Sequence, residues 1–156
     1  MILRLGTGDS VGRNAGYINV DIRPLPEIDI VCDIKSMPFY DGEYAGFECK
    51  NVIEHFGRYE IKPLLKEWAR VIKSGGSFKI ETVDFGAVMD TWRDIPLENL
   101  LDAMCGAQTY PENFHKMILT PDLLKSLLEE AGLKVDNCEL YVLRDIPRMI
   151  LYGKKN

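Results

Sequence analysis

Three short apolar runs near the start of the chain each end on a glycine or an aspartate. The runs cover residues 2–5, 17–20 and 28–32, and the residues that follow them are Gly6, Asp21 and Asp33. Short runs rich in β-branched residues that stop at such residues predict β-strands. In an open parallel sheet, ligands bind beyond the carboxyl ends of the strands. The sequence therefore predicts one sheet edge that carries glycines and carboxylates and binds a nucleoside-bearing small molecule.

The residue types at these strand ends suit a nucleoside site. Gly6 and Gly8 let the backbone approach a ligand, because neither residue carries a Cβ. Asp21 can accept hydrogen bonds from both hydroxyls of a ribose, and a solvated turn aspartate is the alternative interpretation. Asp33 can accept a hydrogen bond from an adenine amine, with Ile34 as an apolar neighbour of the ring.

Composition and charge narrow the class of protein. With 156 residues, the chain is predicted to form a single domain over residues 1–156. The hydrophobic fraction of 46% and the charged fraction of 28% are ordinary for a soluble globular protein. The net charge is -5 and no basic cluster occurs, so a nucleic-acid surface is not indicated.

The sequence also bears on location. No apolar run approaches the length of a membrane span, and residues 1–4 lack the layout of a signal peptide. No CxxC pair occurs among the four cysteines, which favours reduced thiols over a disulfide or a zinc site. We therefore expect a cytoplasmic protein that binds neither membranes nor nucleic acids.

Later segments alternate between helical and strand patterns. Apolar residues at helical spacing predict an amphipathic helix within residues 58–74, ended by the glycines at 75 and 76, and a strand over residues 77–82. Thr120 and Pro121 predict the N-cap and first position of another helix. The apolar segments 139–143 and 149–152 lie too close together for a crossover helix and permit an antiparallel hairpin.

Residues 84–119 have mixed periodicity. Two short helices are predicted near residues 85–93 and 97–105. Because this stretch follows a strand on the side of the expected ligand edge, it is interpreted as the wall or lid of the second-substrate pocket. Plain packing against the sheet is an equally open alternative.

Ordered motifs along most of the chain resemble class I S-adenosylmethionine-dependent methyltransferases, particularly the small type 11 group. Residues 3–8 (LRLGTG) resemble the glycine-rich first motif, residues 17–21 (YINVD) the second strand, and residues 33–39 the adenine-contacting segment. Residues 51–56 (NVIEHF) are similar to the fourth-strand motif, and residues 68–76 to the helix and turn before strand five. The resemblance implies a Rossmann-like α/β fold, with a mostly parallel seven-stranded sheet, an antiparallel C-terminal hairpin strand and a short or absent first helix.

The same resemblance implies a cofactor and a reaction. The cofactor is S-adenosylmethionine, and the reaction is methyl transfer to a small-molecule or a sugar- or lipid-linked acceptor. The cofactor-binding residues that it implies are Gly6, Gly8, Asp21, Ile22, Asp33, Ile34 and Asn51.

The sequence departs from the family pattern in two places. Residues 9–16, between the first two predicted strands, are too few for the usual crossover helix, which predicts a loop and a less enclosed amino-acid end of the cofactor. The sequence also begins on its first strand, whereas many relatives have upstream helices that help to cover the active site. A second copy of the chain, in a homodimer, is one candidate for that cover.

The only two histidines are the candidate catalytic residues. His55 and His115 carry imidazoles whose free pKa of roughly 6.5 suits removal of a proton from a hydroxyl acceptor. A structural role for either histidine is the alternative. Some relatives hold a divalent cation with a Glu-x-x-Glu-His motif, but Asn51 stands in place of the first glutamate. The sequence therefore predicts no metal, and Glu54 is expected to accept backbone hydrogen bonds or to fix a loop.

Two other functions use the same features. A cofactor-binding module without catalysis fits the short first connection, and would bind the cofactor without releasing demethylated product. A nicotinamide-dependent oxidoreductase shares a glycine loop followed by an acidic strand end, but it requires a third glycine and a helix that opens on the pyrophosphate. Residues 10–12 (SVG) and the short connection supply neither convincingly.

Overall fold

The computed structural model describes residues 1–8 and 12–156. Its strands are β1 (Ile2–Leu5), β2 (Tyr17–Asp21), β3 (Ile30–Val31), β4 (Tyr44–Lys50), β5 (Ile72–Val83), β6 (Leu133–Leu143) and β7 (Ile146–Lys155). Its α-helices are α1 (Ile61–Val71), α2 (Phe85–Thr91), α3 (Leu97–Cys105) and α4 (Pro121–Glu130). Short 3-10 helices cover Ile53–His55 and Trp92–Asp94. No helix in the ranges that the structure describes is long and apolar enough to cross a membrane.

The strands form one seven-stranded sheet in the order β3-β2-β1-β4-β5-β7-β6. The pairs from β3 to β5 are parallel, whereas β7 is antiparallel to both β5 and β6. The predicted Rossmann-like fold with a C-terminal antiparallel hairpin is therefore confirmed. The chain builds outward from β1 to β3 and then returns to place β4 on the other side of β1, and such a reversal opens a crevice at the carboxyl ends of the strands.

The predicted loop between β1 and β2 is confirmed where the structure describes it. Residues 12–16 contain no helix, and residues 9–11 of the predicted loop lie outside the described ranges. The connection from β2 to β3, residues 22–29, is also without a helix. The first helix of the fold is therefore absent from the described part of both connections.

Two expectations about local structure need correction. The third apolar run forms only the two-residue strand β3 (Ile30–Val31). The motif at residues 51–56 follows β4 directly, since β4 ends at Lys50 and Asn51 then has φ 53, which turns the chain into a 3-10 helix. The helix α1 ends at Val71 rather than at the glycines, because Ile72 is already extended and pairs with Tyr44.

Gly76 lies inside β5, and close packing explains the residue. A Cβ at this position would lie 2.7 Å from the Lys73 carbonyl oxygen and 2.9 Å from the Ala45 carbonyl oxygen. Both distances are shorter than ordinary van der Waals contact. Because Lys73 belongs to β5 itself and Ala45 to β4, a larger side chain would distort β5 and push it away from β4. The glycine therefore permits β5 to approach β4 closely.

The two faces of the sheet differ in polarity. One row of directly opposed residues is fully or almost fully buried and apolar: Leu5, Cys49, Ile80 and Leu151. The row beside it points to the other face and is polar: Arg4, Glu48, Lys79 and Tyr152. Side chains alternate between faces along a strand, so this alternation buries one face and leaves the other polar.

Helix α1 is fixed to the buried face by Trp68. This side chain is fully buried, and its ring lies edge-on to the ring of Phe47 in β4, with centroids 5.4 Å apart. Its indole N–H donates to the Ile34 carbonyl at 3.1 Å, which satisfies the buried polar atom. The same bond fixes the segment after β3, where the crevice begins.

A two-residue turn joins β6 to β7. Arg144 has φ 51 and Asp145 has φ 63, while Leu143 pairs with Ile146. Positive φ at both central positions matches a type I′ turn, for which Asn-Gly is the preferred pair. Arg144 and Asp145 both carry a Cβ, so their positive φ values have a steric cost that lowers the stability of the folded protein.

Arg144→Asn combined with Asp145→Gly is expected to raise the free energy of unfolding by about 1 kcal/mol, because both new residues tolerate positive φ. Urea denaturation measures the change. Asp145→Val is the matched control and is expected to lower stability, since a β-branched side chain opposes positive φ. Equal stability of the two variants would contradict this turn geometry.

Candidate functional site

A cavity of about 320 Å³ opens at the carboxyl edge of the parallel strands. It lies at the reversal of strand order, beside the ends of β1, β2, β3 and β4. The predicted site residues in its wall are Gly6, Asp21, Ile22, Asp33, Ile34, Asn51 and His55. Residues far apart in sequence are thus brought to one crevice, and their roles in binding and catalysis remain predictions.

Gly6 marks the point where β1 meets the cavity. Its φ is 62, and a Cβ here would lie 2.8 Å from Cγ2 of Val52. Any other residue would be strained by its backbone and would also displace Val52. Glycine therefore permits both this backbone conformation and the close packing of Val52 against residue 6.

Gly8 does not line the cavity, but it holds a residue that does. Its backbone N–H donates to Oδ2 of Asp21 at 2.8 Å. The glycine loop after β1 and the carboxylate that ends β2 are therefore joined directly. Of the seven predicted cofactor-binding residues, Gly8 is the one that does not line the cavity.

Asp21 is buried, which is inconsistent with a solvated turn aspartate. Asp21 is only 4% exposed. Its Oδ1 accepts hydrogen bonds from the Arg23 backbone N–H at 2.9 Å and from Arg23 Nε at 3.2 Å. An ionised carboxylate offers about four lone-pair positions in total. The three hydrogen bonds orient the carboxylate and leave capacity for a ligand hydroxyl.

Arg23 and Tyr110 extend the wall beyond the predicted residues. The Arg23 guanidinium carbon lies 4.1 Å from the centroid of the Tyr110 ring, and both residues line the cavity. This is a cation–π contact, and it joins the end of β2 to the segment between α3 and α4. Neither residue was among the predicted site residues, although Arg23 follows Asp21 closely and Tyr110 lies in the 84–119 stretch predicted to form a pocket wall.

The stretch 84–119 has two roles. Helices α2 and α3 form close to their predicted positions and contact β7. The following loop supplies Tyr110, Pro111, Glu112 and Lys116 to the cavity wall. The helices therefore pack on the sheet and the loop lines the cavity, while a second-substrate pocket at this loop stays a prediction.

The two histidines pack against each other with fixed tautomers. Nδ1 of His55 lies 3.1 Å from the Phe114 carbonyl oxygen, and Nδ1 of His115 lies 2.7 Å from the Ala103 carbonyl oxygen. Because a carbonyl only accepts, each Nδ1 carries the proton and donates it. The ring centroids are 4.9 Å apart in an edge-to-face arrangement. Burial lowers the pKa of both imidazoles.

His55 and His115 occupy different depths. His55 is part of the cavity wall, whereas His115 is not. The His115 ring also lies edge-on to the ring of Phe85, with centroids 5.9 Å apart, which places it deeper in the protein. Of the two predicted catalytic residues, only His55 is therefore positioned to meet a molecule in the cavity directly.

Glu54 is the most deeply buried acidic residue of this region. It is 0% exposed, and neither carboxylate oxygen makes a hydrogen bond of ordinary geometry with the residues that the structure describes. Burial raises its pKa to about 7. The backbone N–H groups of Val52 and Glu54 and the Thr82 hydroxyl face the carboxylate and lower its pKa, but without ordinary hydrogen-bond geometry, so acceptance of backbone hydrogen bonds by this side chain stays a prediction. Its backbone carbonyl, however, accepts from the N–H groups of Lys116 and Met117 at 2.8 and 3.2 Å and fixes that loop.

Glu54 and the histidines form a compact group. Oε1 of Glu54 lies 4.0 Å from Nε2 of His115. One nitrogen from each imidazole and one Glu54 oxygen all lie within 4.8 Å of one another. Asn51 points its amide oxygen elsewhere, to the guanidinium of Arg148. The absence of a metal from this group remains a prediction.

Comparison with known proteins supports the resemblance drawn from the motifs. A family model described as a methyltransferase domain matches residues 13–80, which is slightly less than half of the chain and does not include the glycine loop. A comparison with curated protein sequences gives no match.

Solved structures share the fold over nearly the whole chain. An S-adenosylmethionine-dependent methyltransferase from Methanosarcina mazei has a TM-score of 0.72 at 16% identity, covering 99% of this chain and 91% of its own. The 1,6-didemethyltoxoflavin N1-methyltransferase of Burkholderia thailandensis, solved with 1,6-didemethyltoxoflavin and S-adenosylhomocysteine, has a TM-score of 0.71 at 13% identity, with 99% and 70% covered. A Haloferax volcanii protein, solved with a methyltransferase activator, has a TM-score of 0.67 at 15% identity, with 99% and 81% covered.

The ionisation of Glu54 is expected to make stability depend on pH. Its pKa is raised from 4.5 to about 7 in the folded protein, so ionisation of Glu54 costs more free energy in the folded protein than in the unfolded chain. The free energy of unfolding is therefore highest below pH 4.5 and falls as the pH rises through 7. Relative to Glu54→Gln, the wild type should lose about 3 kcal/mol of unfolding free energy between pH 4.5 and 8. Urea denaturation at several pH values measures this difference, and a constant difference would contradict the raised pKa.

Proposed function

Because the chain combines the class I methyltransferase fold with a match to the methyltransferase domain model, we propose that it is an S-adenosylmethionine-dependent methyltransferase. The observation that carries the proposal is the cavity at the reversal of strand order, whose wall includes Gly6, Asp21 and Asp33. The family model and the shared fold support S-adenosylmethionine as the cofactor.

The residues of the cavity fit the parts of this cofactor. Asp21 is a buried and oriented carboxylate with remaining lone pairs, which suits the two ribose hydroxyls. Asp33 and Ile34 line the neighbouring wall and suit the amine and the ring of adenine. Gly6 lines the same cavity, and any larger residue there would displace Val52 from the cavity wall.

The bound cofactor would supply a methyl group that the positive sulfonium already activates. The protein then has to align an acceptor atom at roughly 3 to 3.5 Å and exclude water. His55 lies in the cavity wall with its proton fixed on Nδ1, so its other nitrogen is free of a covalent proton and can accept one from a hydroxyl acceptor. Tyr110 and Lys116 form the wall around it.

The acceptor that we propose is a small molecule or a sugar- or lipid-linked intermediate. The net charge of -5 disfavours a polyanionic nucleic acid. A small-molecule acceptor also occurs in the Burkholderia relative, which was solved with 1,6-didemethyltoxoflavin. A homodimer or another protein partner is an additional proposal, in line with the Haloferax relative that was solved with an activator.

Binding without catalysis is the second candidate, and one observation favours it. The described part of the β1–β2 connection lacks a helix, so the amino-acid end of the cofactor is less enclosed. Measurement of S-adenosylhomocysteine release separates the candidates, since a binding module saturates with cofactor and releases none. Incubation with labelled S-adenosylmethionine and a metabolite extract identifies the acceptor as the molecule that gains the labelled methyl.

Asp21→Ala is expected to weaken S-adenosylmethionine binding about tenfold or more, because the hydrogen bonds to the ribose are lost. Calorimetry measures the dissociation constant. Asp29→Ala is the matched control, because this aspartate also accepts a backbone N–H, from Asn19 at 2.9 Å, but does not line the cavity. An unchanged dissociation constant for Asp21→Ala would show that Asp21 is not the ribose ligand.

His55→Ala is expected to lower turnover about a hundredfold, because the acceptor hydroxyl loses its base. Cofactor affinity should change little, since His55 is not among the residues proposed to hold the cofactor. Release of labelled product measures the first quantity and calorimetry the second. Tyr59→Ala, at a position that is 88% exposed and outside the cavity, is the control. Turnover equal to that of the wild type would remove His55 as the base.

A further inference from the structure

The side chains of Glu54, His55 and His115 form a group that we name the acceptor cluster. We propose that the acceptor cluster works as one proton-accepting unit, in which His55 receives the proton that the methyl acceptor loses and buried Glu54 supplies the compensating negative charge through His115. The source of the proton rests on the proposed function, whereas the ability to hold it rests on the geometry of this chain alone.

The fixed tautomers set up the geometry. Each histidine already donates its Nδ1 proton to a backbone carbonyl, from His55 to Phe114 and from His115 to Ala103. In a neutral imidazole the second nitrogen, Nε2, is then an acceptor. Neither ring can turn its N–H toward Glu54 without breaking a hydrogen bond to a carbonyl.

Glu54 adds a further acceptor to this arrangement. An ionised carboxylate only accepts hydrogen bonds, and Oε1 of Glu54 faces Nε2 of His115 at 4.0 Å. Both carboxylate oxygens lack an ordinary hydrogen bond in the described part of the chain, and the residue is fully buried. An acceptor that faces another acceptor in a dry interior is unfavourable. One proton held within the cluster converts this contact into a charge-assisted pair.

The charges around the cluster do not remove the need for that proton. Arg148 favours the ionised form of Glu54 and opposes protonation of His115, and Lys116 opposes protonation of His55. Asp102 acts in the opposite sense on His115. The Thr82 hydroxyl and the backbone N–H groups of Val52 and Glu54 face the Glu54 carboxylate and favour its ionised form, and Cys49 is a fully buried thiol nearby. Burial has the largest effect on all three members of the cluster, and it opposes the charged form of each.

The reaction balances with the cluster as the proton acceptor. The O–H bond of a hydroxyl acceptor breaks, and its proton goes to the unprotonated nitrogen of His55. The oxygen electron pair forms a bond to the methyl carbon of the sulfonium cofactor, and the electron pair of the carbon–sulfur bond goes to sulfur. The cluster then carries one added proton, which returns to water after the product leaves. Glu54 touches no reacting atom, so it is a positioning residue.

Titration of the two imidazoles in the ligand-free protein tests the proposal. The chain contains only two histidines, so the Cε1–H signals in a carbon–proton NMR spectrum are two, and each is assigned by its single substitution. In the presence of a chelator, Glu54→Gln is expected to lower the proton affinity of His115 about tenfold, because the first proton to enter the wild-type cluster is shared between the Glu54 carboxylate and His115, and the Gln amide cannot take part in that sharing. Glu67→Gln is the matched control, because this carboxylate pairs with Arg70 on α1 and should leave both titrations unchanged.

The outcomes separate this proposal from the proposed function. Unchanged histidine titrations in Glu54→Gln would overturn the shared proton, whether or not the protein transfers methyl groups. Stoichiometric zinc or magnesium retained by the purified wild type and lost in Glu54→Gln would also overturn it, because the cluster would then hold a metal.

If Glu54→Gln does not fold, His115→Asn tests the same proposal through the NMR signal of His55. The pH midpoint of that signal should move, and an unmoved midpoint would contradict the proposed cluster. In an active protein, the acidic limb of the pH–rate profile should move with the titration.

Discussion

The carboxylate of Asp21 is the interaction on which the site depends. One oxygen accepts from the Gly8 N–H and so fixes the loop after β1, and the other accepts from Arg23. Arg23 in turn lies over the ring of Tyr110, which belongs to the loop after α3. A single buried acid therefore connects the first two strands to a segment almost ninety residues later. Removal of this acid would loosen the cavity wall as well as remove an acceptor for ribose.

A second connection fixes the opposite side of the cavity. The backbone carbonyl of Glu54 holds the loop at Lys116 and Met117, and the carbonyl of Phe114 holds the ring of His55. The loop and the residues after β4 thus position each other. The Glu54 side chain remains buried beside His115 without an ordinary hydrogen bond among the described residues, which is an unfavourable position for a carboxylate. Such groups are commonly maintained where a perturbed pKa serves a function.

The sheet itself supports the site, since the described parts of the β1–β2 and β2–β3 connections contain no helix. Its buried face packs on α1 through Trp68, while the other face carries charged and aromatic side chains that pair with each other. Tyr17 donates to Glu48 at 3.3 Å, and the guanidinium of Arg4 lies 3.8 Å from the centroid of the Tyr17 ring. These contacts pair most of the polar groups on this half-buried face, although Nη1 of Arg4 is buried without a hydrogen-bond partner among the described residues.

The presence of several elements and the residues at their ends follow from local sequence. The runs before Gly6 and Asp21, the helix cap at Thr120 and the close spacing of the last two strands each rely on neighbouring residues, so they predict β1, β2, α4 and the hairpin. The bounds of α1 and the short β3 differ from the pattern, because strand pairing rather than helical propensity decides where Ile72 and Ile30 lie.

The assembled site required the tertiary structure. The sequence by itself placed glycines and aspartates at the carboxyl ends of strands, because a parallel sheet brings such ends to one edge. Only the fold decided that Tyr110 and Lys116 complete the wall, that His115 lies behind His55, and that Glu54 is buried without an ordinary partner. These relations depend on contacts between segments distant in the chain, and neither composition nor spacing carries information about such contacts.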